Sequence, residues 1–67
     1  MLELDEWLTR FLDLRYADLP ADQRAVFAQL LDQDDMALFD WITGERDPPA
    51  EFCRLVEEIK ITRYPKT

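Results

Sequence analysis

Leu4-Asp-Glu-Trp-Leu-Thr-Arg-Phe-Leu12 is the stretch on which the fold turns. Leu4, Trp7, Leu8, Phe11 and Leu12 recur at the spacing of one helical face, and Asp5, Glu6, Arg10 and Asp13 fall opposite. The pattern predicts a first helix from about Leu2 to Tyr16. No capping residue or polar lead-in precedes it, although helix starts usually show one. Two readings are open: a chain that begins abruptly, or one with a further segment upstream of Met1.

Working outward, the same periodicity returns three times. Leu19-Pro20-Ala-Asp-Gln forms a joint in which Pro20 suits a helix start, because its missing N–H is no loss there. Asp22 then meets the positive end of the helix dipole, and Leu19 is placed to staple onto the helix. A second helix is expected from about Ala21 to Gln33, with Val26, Phe27, Leu30 and Leu31 buried. Asp34-Asp35 makes a very short joint, and either carboxylate is suited to cap the next helix.

The third helix, about Met36 to Thr43, carries Leu38, Phe39, Trp41 and Ile42. Two turns do not hold together alone, so packing must keep it in place. Gly44 suits the left-handed residue that ends many helices, and Pro48-Pro49 separates it from a fourth helix over about Ala50 to Thr62. That helix presents Phe52, Leu55, Val56 and Ile59, with Arg54 and Glu58 at ion-pair spacing. Residues 63–67 are expected to fray. The expectation is a small all-α antiparallel helical bundle, four helices in one domain over residues 1–67.

Composition bounds the chemistry. Sixty-seven residues bury a modest core and leave a marginally stable fold. The 48% hydrophobic content, with two Trp and four Phe, is too apolar for a disordered tail. The chain has no His, Ser or Asn and a single Cys, Cys53. Ser/His and Cys/His nucleophilic catalysis is thereby excluded, as are zinc sites built from His and Cys. Cys53 falls in a helical pattern and is expected to be a buried or half-buried structural thiol.

The net charge of −7 resides in residues 1–40, which hold ten acids and three bases, while residues 41–67 balance. Such a face repels nucleic acid and anionic membranes. It either solubilises the domain or steers it toward a basic protein surface. No signal peptide and no apolar run of membrane-spanning length is visible, so a soluble intracellular protein is expected.

Individual constellations carry little chemistry. Asp32-x-Asp34 has the look of a calcium-loop opening, but the sixth and twelfth positions hold Ala37 and Thr43 in place of Gly and Glu. An acyl carrier protein is also a small acidic helical domain, yet its prosthetic-group Ser has no counterpart in a chain without Ser. Trp41 either locks the third helix into the bundle or, left partly exposed, anchors a partner. From residues alone the reading is a helical binding domain with no catalytic site.

Several quoted stretches together resemble the small flavinylation assembly factors of succinate dehydrogenase. They are Met1-Leu-Glu-Leu-Asp5, Phe11, Leu19-Pro-Ala-Asp-Gln23, Phe27-Ala-Gln-Leu-Leu-Asp32 and Asp34-Asp-Met-Ala-Leu-Phe-Asp-Trp-Ile-Thr-Gly44. That family's signature is Arg-Gly-x-x-Glu directly before Leu-Asp. Glu3 takes the Glu position, with Leu4 and Asp5 after it. The resemblance places the Arg and Gly immediately upstream of Met1, behind a further short helix that would make five in all.

The resemblance also implies a function. Family members bind the flavoprotein subunit of succinate dehydrogenase, and in some cases fumarate reductase, and promote covalent attachment of FAD to a His of that subunit. No cofactor is expected on this chain itself; FAD is handled by the partner. The expected partner-contacting residues are Glu3, Asp5, Glu6, Asp34, Asp35 and Trp41. The implied location is the bacterial cytoplasm or, in a eukaryote, the mitochondrial matrix. The competing reading is an acidic interaction module, such as an antitoxin or inhibitor, that masks a basic partner.

Overall fold

A computed structural model of the protein describes residues 2–63. Its helices are α1 (Leu2–Arg15), α2 (Ala21–Leu31), α3 (Asp35–Thr43) and α4 (Cys53–Thr62). Short 3-10 turns at Tyr16–Asp18 and Ala50–Phe52 lead into the first joint and into α4. The all-α expectation holds, with four helices and no strand among the described residues.

Each joint has a local cause. Arg15 ends α1, and the backbone N–H of Leu19 bonds the Tyr16 carbonyl at 3.1 Å, so the chain tightens before turning. Pro20 sits in extended backbone just ahead of α2, and its carbonyl accepts from the N–H groups of Gln23 and Arg24, both at 3.0 Å. Asp34 caps α3: its carboxylate accepts from the Met36 and Ala37 N–H groups at 3.1 and 3.4 Å. Gly44 closes α3 with φ +87°, a conformation from which a Cβ is sterically disfavoured.

The helices share one core. Leu4, Trp7 and Phe11 come from α1, and Phe27 and Leu30 from α2. Leu38, Trp41 and Ile42 come from α3, and Phe52, Leu55, Val56 and Ile59 from α4 and the turn before it. Leu19 joins them from the first joint. Stacked and tilted ring pairs knit the layers: Phe11 with Phe27 at 5.3 Å, Trp41 with Phe52 at 5.8 Å and Trp7 with Phe39 at 5.5 Å. The two ends of α1 fix its direction against α4. Arg15 reaches Glu58 at 3.8 Å, whereas Trp7 lies against Arg63, so the helices run antiparallel.

Several expectations are corrected. Leu12 and Leu31, expected in the buried stripes, are 39% and 46% exposed. Each sits beside a fully buried residue, Phe11 or Leu30, at the edge of its helix's apolar stripe, beyond the part that the neighbouring elements cover. Leu8, Val26 and Phe39 are only half-buried. Cys53 is exposed, with its thiol 4.0 Å from the Pro48 carbonyl. It is the first residue of α4, at the margin of the face that buries Leu55, Val56 and Ile59, and the core does not cover it.

Glu58 pairs with Arg15 across helices instead of with Arg54 along its own, because antiparallel packing brings α1 alongside. The tail expected to fray begins with a residue that is tied down. Arg63 donates from its backbone N–H to the Ile59 carbonyl at 2.9 Å and from its guanidinium to the Ile42 carbonyl. Residues 64–67, the rest of that expectation, lie outside the described residues.

Candidate docking face on the first helix

The outer side of α1 is the candidate site, and the helix repeat explains why. With Leu4, Trp7 and Phe11 committed to the core, Glu3, Asp5 and Glu6 are turned outward, and all three are exposed. Asp5 and Glu6 continue into a shallow open depression bordered by Thr9, Arg10, Asp13 and Leu14. The surface is mixed: carboxylates and one guanidinium, edged by Leu2 and Leu14, which are 72% and 57% exposed. Carboxylates of this kind offer charge and hydrogen-bond acceptors to a partner.

Asp34 and Asp35 form a second acidic group at the joint before α3. Asp34 spends its carboxylate on the α3 cap, and Asp35 occupies the first helical turn beside the positive end of the dipole. The two groups lie on different helices, connected through the Trp7–Phe39 ring pair. Trp41 is in the core at 7% exposure, its ring packed on Phe52. It fills the inner side of α3 and presents no anchor at the surface. Among the described residues no group of carboxylates and thiol is arranged to hold a metal ion. No helix of the described residues is long and apolar enough to cross a membrane.

Two features are not evident from sequence. One is the row Glu6, Thr9, Arg10 and Asp13, whose spacing of three and four is visible but signals only a wet face. The other is the guanidinium of Arg63, whose described partners, Ile42 and Trp7, are 21 and 56 positions away in the chain.

Comparison with known proteins decides the family. The family model described as "Flavinator of succinate dehydrogenase" matches residues 1–63. The chain belongs to that family. Among curated relatives, the FAD assembly factor SdhE of Coxiella burnetii is 39% identical over 61 residues, covering 90% of this chain and 74% of the relative. The protein of the same name from Idiomarina loihiensis is 44% identical over 66 residues, covering 91% and 73%. That of Shewanella oneidensis is 38% identical over 61 residues, covering 90% and 74%. No solved structure gives a significant match. The matched span takes in all four helices, including α1 with Glu3, Asp5 and Glu6.

Proposed function

We propose that this protein binds the flavoprotein subunit of succinate dehydrogenase, or of the related fumarate reductase, and promotes covalent attachment of FAD to it. The observation that carries the reading is the family match across residues 1–63, which spans the whole four-helix core and the exposed acidic face of α1. The chain acts as one folded unit without catalytic groups of its own. Both reactants of the new bond, the accepting His and the flavin, belong to the partner and its substrate.

This chain contributes a rigid surface. Leu4, Trp7 and Phe11 hold α1 against the core, so Glu3, Asp5 and Glu6 are presented without the entropy cost of ordering a flexible segment. A surface that fits one domain arrangement of the flavoprotein better than others shifts the population toward it. If that arrangement aligns His and flavin, the reaction accelerates through orientation alone. Glu3 reaches toward the flavin region, with Asp5 and Glu6 at its flank, and Asp34 and Asp35 extend the acidic surface. The place of action is then wherever the flavoprotein matures, in the bacterial cytoplasm or the mitochondrial matrix.

Covalent flavin remains fluorescent in a denaturing gel, which provides the test. Co-expression of the flavoprotein subunit with this protein should raise that signal, and Glu3→Ala should lower it with helix content unchanged. A signal indifferent to the presence of the protein refutes the function. Capture of a basic partner in place of the flavoprotein favours the acidic interaction module instead.

A further inference from the structure

We propose that Arg63 is the positioning residue of the docking face, a clasp that sets the first turns of α1 against α3 and α4. The inference deepens the docking function above and rests on it. Arg63 follows the last residue of α4, and among the described residues its guanidinium meets two other helices. One guanidinium N–H donates to the Ile42 carbonyl, at the C-terminal end of α3. The guanidinium carbon also lies 5.9 Å from the centroid of the Trp7 ring on α1.

Each contact has a physical reason. The last four carbonyls of a helix have no intrahelical partner, and a cation at that end also meets the negative pole of the dipole. Over an indole, a guanidinium is held by the ring quadrupole, and its planar fork lets it donate and stack at once. Trp7 is engaged a second time by Phe39, 5.5 Å away with the rings 20° from parallel. Trp7 therefore joins three elements: α1, which carries it; α3, through Phe39; and the end of α4, through Arg63.

The consequence falls on Glu3. It lies one turn before Trp7 on the same helix, and Glu6 immediately precedes that Trp. Among the described residues, Leu4 and Trp7 are the only buried side chains in the first two turns of α1, so the seat of Trp7 governs where those carboxylates point. End turns of helices open at little cost. Loosening Trp7 reduces the fraction of molecules with Glu3 in place, and apparent affinity falls by that fraction.

The test uses the full chain with the flavoprotein subunit and FAD, comparing Arg63→Met, Arg63→Lys and Glu3→Ala under conditions where circular dichroism shows equal helix content. Arg63→Met should raise the half-saturating concentration for covalent flavin by roughly fivefold, the scale of a lost, partly desolvated cation–π contact, and leave the saturated yield unchanged. Arg63→Lys keeps the charge but not the planar fork and should fall between wild type and Arg63→Met. A lysine variant as weak as the methionine variant overturns the clasp.

If Glu3→Ala raises the half-saturating concentration and Arg63→Met does not, docking stands and the positioning role is overturned. If neither moves it, the docking reading falls and takes this proposal with it. Should Arg63→Met not fold, NMR of the wild-type protein decides. The Arg63 side-chain protons should be displaced upfield by the Trp7 ring current, and unshifted resonances overturn the proposal.

Discussion

Asp34→Ala separates two roles that one carboxylate could hold. In the structure Asp34 accepts from the Met36 and Ala37 N–H groups at 3.1 and 3.4 Å, and it is exposed. Truncation thus opens no cavity and leaves only the cap to account for. Losing an N-cap acceptor costs about 1 kcal/mol, within a range of roughly 0.5–2. Nine-residue α3 depends on that cap because it is too short to be stable alone. For a domain of this size about 1 kcal/mol corresponds to a fall in Tm of roughly 4–8 °C.

Asp34→Asn supplies the control. The amide oxygen still accepts from the same N–H groups while the charge is removed, so only the dipole contribution of about 0.3–1 kcal/mol is lost. Thermal melts and urea titrations followed by far-UV circular dichroism measure both variants. The expected order is wild type, then Asn slightly lower, then Ala clearly lower. A partner titration adds the second axis: if Asp34 also meets the flavoprotein, Asn weakens binding although it keeps the cap. An Ala variant as stable as wild type refutes the capping argument, as does an Asn variant as unstable as Ala.

Two other substitutions test the core and the α3 terminus. Phe11→Ala removes a fully buried ring packed on Phe27. The cost should be about 3–5 kcal/mol, against a total stability of roughly 3–10 kcal/mol for a chain of this length. Loss of the cooperative urea transition checks it, and retention of near-wild-type stability contradicts the packing described. Gly44→Ala introduces a Cβ that meets nothing within 4 Å, so its cost is purely that of φ +87°, about 1 kcal/mol. Calorimetry should find a small loss with unchanged helix content, and an unaltered Tm counts against the left-handed closure.

How much is legible in the sequence depends on how local each signal is. The Leu4–Leu12 spacing, the Asp34 cap, the Gly44 stop and the Pro-rich break before α4 are readable because each acts over one or two turns. Burial is legible in outline only. Leu12 and Leu31 are apolar and in phase within a broad stripe, but the width of the stripe actually covered is set by where neighbouring helices stop. Cys53 shows the same limit, since a helical pattern does not state which face the rest of the chain will meet. On α1, helix phase makes Glu3, Asp5 and Glu6 legible as outward-facing residues, whereas Trp41 is placed inside by contacts with Phe52.

The sequence by itself determined the class of fold, the four helices, most of their ends and the absence of His, Ser and paired Cys chemistry. These properties derive from residue identity and short-range spacing, where backbone geometry leaves few alternatives. Only the tertiary structure decided that α1 lies antiparallel to α4, that Trp7 meets Phe39 and Arg63, and that Glu58 answers Arg15. Those pairings join residues far apart in the chain. They depend on shape and on which apolar surfaces can be buried together, and the burial force itself carries no direction.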